Sequence, residues 1–310
     1  MSFCIELFCV VTLQYQILVR IAIAYFIIEK KKAVPQPWQA IAQRFCSIGS
    51  CGGDIMTIHE YGADREKVIV LIHPSVVMWD YFENVIPLLK DKYHLIIPAL
   101  PGYDEENPNE DFTSVEEIAD NLVKWLIEHK IRTIDTLYGC SMGGAIVLKM
   151  IAEQKIIIKN AVCDGGITPY QLPWLITRFI AIKDFLLISM GKIGGLGLLE
   201  KAFSTDEYSK EDLKYIVKVL HFISYKTIWR TFDSCNNYVM PKNIPKYEGC
   251  LQYWYGDKEA KDRAWDIKYI KNHFPDTRLI NFENMGHGSM ASLYPQKMVK
   301  CLEVIIDAEN

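Results

Sequence analysis

The sequence has no surplus of basic residues: 34 Lys and Arg stand against 38 Asp and Glu, a formal net charge of −4 over 310 residues. With no basic footprint, nucleic acid is not suggested as a partner. There is no C-x-x-C pair and no cysteine–histidine spacing of a metal site, although nine cysteines are present. An odd, scattered set reads as reduced thiols in a reducing compartment, so a cytoplasmic location and no metal are expected. Internal repeats and long low-complexity tracts are also missing. What the chain does have is apolar material. Half of its residues are hydrophobic and 12% aromatic, enough for one large α/β domain or for a domain carrying an insertion.

Residues 1–55 differ from the rest. Leu7 to Ile28 is almost continuously apolar, and Lys30-Lys31-Lys32 follows. A secretory signal is disfavoured by Glu6, by the lack of a basic start and by the absence of a small-x-small cleavage site. The length suits a membrane anchor, and the lysines would then hold the following domain on the cytoplasmic side. Against this, Arg20 would cost on the order of 3 kcal/mol near a helix centre. A translated leader is a further reading. One back-translation of Gly52-Gly53-Asp54 contains a ribosome-binding sequence just before a start codon for Met56. An ordinary extension is the remaining alternative. Membrane contact is expected only if residues 7–28 are an anchor.

From Met56 the pattern becomes regular. Met56 to Tyr61, Lys67 to His73, His94 to Ala99, Arg132 to Tyr138 and Lys155 to Cys163 read as strands. Several are uninterrupted β-branched and aliphatic runs, as expected where a parallel sheet is covered on both faces. Tyr81 to Lys90 reads as a helix. Val115 to Lys130 reads as another, with apolar residues at helical spacing behind a Ser114 start. Strands alternating with helices predict a doubly wound α/β sheet. The alternation stops after Gly166. Residues 167–246 contain helical segments, broken by Gly191, Gly194, Gly195 and Gly197, and no buried strand. The strand–helix pattern resumes over 247–310, with strands at Cys250 to Tyr255 and Thr277 to Phe282 and helices at Ala260 to Phe274 and Tyr294 to Asp307. Residues 56–166 and 247–310 therefore form the expected core, and 167–246 a helical cap.

Gly139-Cys140-Ser141-Met142-Gly143 carries the chemistry. It stands between a strand and the helical run Ala145 to Ala152, the context of a nucleophile elbow. Glycine is needed at 139 and 143 because side chains there would collide with neighbouring backbone. Serine is a weak nucleophile until a base takes its proton. His287, in the glycine-rich loop Gly286-His287-Gly288, is the candidate base. Asp257, after the strand ending Tyr255-Gly256, is the candidate acid that fixes the imidazole, and Asp164, at the end of another strand, is its rival. The remaining histidines lie in strand, helix or cap contexts that suit structural roles. Oxyanion stabilisation requires two backbone N–H donors. Met142 is one. Pro74 has no N–H, so the other is Ser75, with Val76 as alternative. His73 supports this turn and is a candidate pocket residue together with Trp174 and Phe179.

Taken together, Leu71-Ile72-His73-Pro74, Pro98 to Tyr103, Gly139 to Gly144, Tyr255-Gly256-Asp257 and Gly286-His287-Gly288 resemble the α/β-hydrolase fold superfamily. The order serine, acid, histidine agrees with that resemblance. It implies a mostly parallel sheet with a helical cap inserted after the sixth strand, and hydrolysis of an ester or related acyl compound through an acyl-enzyme, without a cofactor. The apolar cap suggests a small or medium apolar-acyl ester as the small-molecule substrate. An aminopeptidase, a carbon–carbon bond hydrolase or a non-catalytic ligand-binding protein are the alternatives. Epoxide hydrolase and haloalkane dehalogenase chemistry would need a carboxylate at position 141.

Overall fold

The computed structural model describes residues 56–308, except Gln171 and residues 203–208. The expectations for residues 1–55, whether leader, anchor or extension, lie outside the described residues. Among the described residues no helix is long and apolar enough to cross a membrane.

Seven strands form one sheet: β1 (Ile58–Tyr61), β2 (Val68–Ile72), β3 (His94–Pro98), β4 (Thr133–Cys140), β5 (Ile157–Asp164), β6 (Cys250–Gly256) and β7 (Arg278–Phe282). Their spatial order is β1-β3-β2-β4-β5-β6-β7. Only β1 runs antiparallel to its neighbour, and every other pairing is parallel. The helices are α1 (Ile86–Leu89), α2 (Val115–Glu128), α3 (Met142–Glu153), α4 (Trp174–Ala202), α5 (Lys210–Phe222), α6 (Tyr225–Asn237), α7 (Ala264–His273), α8 (Ser289–Leu293) and α9 (Pro295–Asp307).

The sheet is buried because its strands have apolar side chains on both faces. Along β2, Val68, Val70 and Ile72 join the core that includes Ile118 and Leu122 of α2 and Ile146 of α3. Ile69 and Leu71 point the other way, into the core that includes Phe82, Leu89 and Leu302. This period of two is the geometry of a strand, and the absence of a polar face is what coverage on both sides demands.

Three features depart from the sequence reading. The helical insertion follows the fifth strand of this sheet, not a sixth, because among the described residues only β1 precedes β2. The helix expected over Tyr81 to Lys90 is split into a 3-10 turn, Trp79–Phe82, and the short α1, with Pro87 fixing the start of the second piece. Most of the glycines expected to break the insertion do not do so. α4 runs through Gly191 and Gly194 and is interrupted at Gly195 (φ 58°, ψ −154°).

The turn from β4 into α3 is packed too tightly for side chains. A Cβ on Gly143 would lie 2.4 Å from the Ile72 carbonyl oxygen, and one on Gly139 would lie 2.2 Å from the Gly143 carbonyl oxygen. Neither neighbour is a flexible side chain, so relief requires backbone movement. Gly143→Ala is expected to lower Tm by about 5–10 °C. Gly197→Ala, at a helical position with nothing within 4 Å, should raise Tm by about 2–4 °C. Thermal melts of the two variants beside the parent check both signs.

Candidate active site

Ser141 stands between β4 and α3 with φ 52° and ψ −111°, a conformation that L-residues adopt only when their surroundings impose it. Backbone bonds fix it on two sides. Its N–H donates to the Asp164 carbonyl at 2.9 Å, and its carbonyl accepts from Ile167 N–H at 3.2 Å. The first bond within α3 runs from Ala145 N–H to Ser141 O. The Met142 amide therefore belongs to the first-turn N–H groups for which a helix has no internal acceptor.

The imidazole of His287 does not meet Asp257. Its Nδ1 is 2.7 Å from Oε2 of Glu259. Asp257 is exposed, and its backbone N–H is bonded to the Phe282 carbonyl. The reason is a turn. Glu259 N–H donates to Gly256 O and Ala260 N–H to Asp257 O, so the chain folds back after β6. The acid two positions further on is thereby carried inward, while Asp257 faces solvent. A glutamate side chain supplies the extra reach. Asp164 does not contact the histidine either: it accepts the Tyr138 hydroxyl at 2.5 Å.

The histidine loop is held by its backbone. Lys258 N–H donates to Met285 O. The Tyr81 hydroxyl donates to Gly288 O at 2.6 Å, and Ser289 Oγ links both the N–H and the carbonyl of Gly286. Gly165, directly after β5, lies beneath the His287–Glu259 pair: a Cβ there would stand 2.8 Å from His287 Nδ1 and 3.1 Å from Glu259 Oε2. The pair is thus anchored beside the residue whose neighbour, Asp164, accepts the Ser141 N–H. Exposure is graded along it. The imidazole side chain is 41% exposed and the carboxylate only 7%, so the ring can meet a ligand while the acid stays dry.

Two buried carboxyl groups near this ring are driven apart in acidity. Burial alone would push Glu259 up. The hydrogen bond and charge of His287, the Gly256 N–H and the Arg263 guanidinium together hold it below the ordinary carboxylate range. Asp164 is pushed up to about 6, first by burial, with the Glu259 charge adding and Tyr138 and His287 opposing. Arg263 also donates to Gly165 O at 3.2 Å and pairs with Asp266, which fastens this side of the site.

His73 is not a pocket residue. It is fully buried, Nδ1 donates to Pro74 O at 2.8 Å, and Nε2 accepts the Leu100 N–H at 3.2 Å. Burial lowers its pKa to about 4, so the ring is a neutral strut across the ends of β2 and β3. Trp174 is 68% exposed with its ring against the Arg178 guanidinium, because it opens α4 on the outer side of the insertion. Phe179 is half-buried on the same helix. Ser75 is half-buried in the turn after β2. The neighbouring Val76 has φ 65°. The sequence reading missed Glu259, Tyr81, Tyr103 and Arg263. Glu259 alone had a visible signal, as a second acid on the same strand-end loop.

The raised pKa of Asp164 has a defined sign for stability. A carboxyl whose folded pKa exceeds its unfolded value contributes fully below about pH 4, and the contribution is lost as pH rises through 6. A shift of that size is worth up to about 3 kcal/mol. Asp164→Asn should therefore be more stable than the parent at pH 7–8, with the gain vanishing at pH 4. Urea unfolding at the two pH values reads this directly.

The sequence profile of the alpha/beta hydrolase family matches residues 69–300. Among curated proteins, the chain is 29% identical over 118 residues to an uncharacterized hydrolase, YugF, of Bacillus subtilis, covering 37% of this chain and 43% of that one. It is 32% identical over 113 residues to an uncharacterized hydrolase, YNR064C, of Saccharomyces cerevisiae, covering 35% and 39%. The chain thus spans about two fifths of the length of the curated relatives it matches. Among solved structures, a protein from a study of carboxylesterases of Nitrososphaera gargenis superposes with a TM-score of 0.65 at 19% identity, over 82% of this chain and 96% of that one. That likeness is one of fold. With the profile spanning strands β2 to β7 and both glycine-flanked loops, the chain belongs to the alpha/beta hydrolase family.

Proposed function

We propose that the protein is a serine hydrolase that cleaves carboxylic esters of small or medium apolar acyl groups through an acyl-enzyme. The observation that carries this reading is the 2.7 Å bond between His287 Nδ1 and a buried, ionised Glu259. It assigns the ring proton to Nδ1 and leaves Nε2 with a lone pair to act as base. The triad is Ser141, His287 and Glu259, in place of the Asp257 expected from sequence.

The steps follow from these groups. His287 Nε2 takes the Ser141 hydroxyl proton as Oγ attacks the ester carbonyl. The Met142 and Ser75 N–H groups receive the developing oxyanion. Ser75 is preferred to Val76 because its peptide is fixed by the 2.8 Å bond from His73 Nδ1 to Pro74 O. The imidazolium, stabilised by Glu259, protonates the leaving alcohol, and water repeats the sequence to free the acid. The helical insertion, residues 167–246, acts as the cap, and its apolar side chains supply the acyl site.

Ser141→Ala should abolish fluorophosphonate labelling and reduce turnover of p-nitrophenyl esters at least a thousandfold. Glu259→Gln should cost about a thousandfold in kcat, while Asp257→Asn stays within about twofold of the parent. Equal losses in Glu259→Gln and Asp257→Asn would remove Glu259 from its role, and unchanged labelling of Ser141→Ala would end the hydrolase reading. A panel of esters of graded chain length reports the acyl preference.

A further inference from the structure

The turn after β2 holds a residue that ought not to be there. Val76 has φ 65°, and a β-branched side chain in the left-handed region is strained. Something must hold the chain in that shape. From below, His73 bonds Pro74 O and Leu100 N. Two tyrosines act elsewhere on the turn. Tyr103, fully buried, packs edge-on against the His73 ring at 5.9 Å between centroids and shares a 2.8 Å bond with Thr231 Oγ1. Tyr215 accepts the Met78 N–H at 3.0 Å and donates to Asp80 Oδ1. Thr231 lies on α6 and Tyr215 on α5, so both belong to the helical insertion.

We propose that Tyr103 and Tyr215 are positioning residues that hold the Ser75–Val76 turn in its oxyanion-donating shape, so that the seating of the insertion sets transition-state stabilisation as well as substrate access. This rests on the serine hydrolase reading. The physical argument is one of preorganisation. An N–H donor stabilises an oxyanion only when it is already aimed at the place where charge develops. A strained turn released from its supports relaxes towards negative φ and carries its amides away. By packing against His73, whose Nδ1 bonds Pro74 O, Tyr103 also helps to fix the peptide plane that carries the Ser75 N–H. Substrate binding in the ground state does not use that donor, so the loss should fall on kcat and not on KM.

The test uses full-length Tyr103→Phe and Tyr215→Phe, with active sites titrated by a fluorophosphonate so that only folded, competent protein is counted. Turnover of p-nitrophenyl butyrate should show kcat down about tenfold in each, with KM within about twofold. Phenylboronic acid, whose serine adduct places an oxygen in the oxyanion position, should bind about tenfold more weakly in step with kcat. Thr231→Val, which removes the partner of the Tyr103 hydroxyl, should give a loss of the same kind. If Tyr103→Phe does not fold, Tyr215→Phe carries the test alone, since that ring is only half-buried and loses just its hydroxyl. Parent-like kcat and boronate affinity in the variants overturn the proposal, as does a raised KM at unchanged kcat. A parent protein that neither hydrolyses the ester nor takes the fluorophosphonate overturns the serine hydrolase reading, and this one with it.

Discussion

Everything at the site depends on steric crowding where β4 turns into α3. The Gly143 Cα lies so near the Ile72 carbonyl that even a methyl group has no room. That contact packs the first turn of α3 against the end of β2. It leaves Ser141 at positive φ, with its side chain at the carboxyl ends of the parallel strands. In open α/β sheets those ends are where ligands meet the fold. The strain at Ser141 is balanced by ordinary means: the backbone bonds to Asp164 and Ile167 and the buried helix that follows.

Around this fixed serine, electrostatics assign different work to two acids of similar intrinsic strength. Glu259 faces an imidazole, a backbone N–H and Arg263, and is held ionised. Asp164 faces burial, one tyrosine hydroxyl and the charge of Glu259, and its pKa is pushed up to about 6. The difference is one of neighbours more than of burial, since both are dry. Only the ionised acid can hold an imidazolium in place. The second carboxyl, bonded to Tyr138 of β4, ties β4 to β5.

Much of this was legible in the chain. The strand runs at 68–72 and 94–98 have no polar face, and that alone indicates a sheet covered on both sides. Gly139 and Gly143 flanking Ser141 implied a turn too tight for side chains, and the Cβ clearances bear that out. The carboxylate that meets His287 was not legible, because the placement of Glu259 inward and Asp257 outward depends on a turn only a few residues long. A one-residue difference in its direction exchanges an inward side chain for an outward one, and composition carries no trace of that. His73 resembled a pocket residue because its sequence position lies at the sheet edge, but burial and two hydrogen bonds make it a strut. The breaks expected from Gly191 and Gly194 did not occur, because glycine lowers helix stability by only about 1 kcal/mol and packing within the insertion outweighs it.

The central claim is that Ser141 becomes acylated with His287 and Glu259 behind it. Acid-quenched mixing of the protein with a p-nitrophenyl ester, followed by intact-mass measurement and peptide mapping, tests it most directly. The account predicts a burst of about one p-nitrophenol per chain and a mass gain of one acyl group on the peptide containing Ser141. Turnover with no adduct at Ser141, or with the acyl group or solvent oxygen lodged on a carboxylate instead, would contradict it.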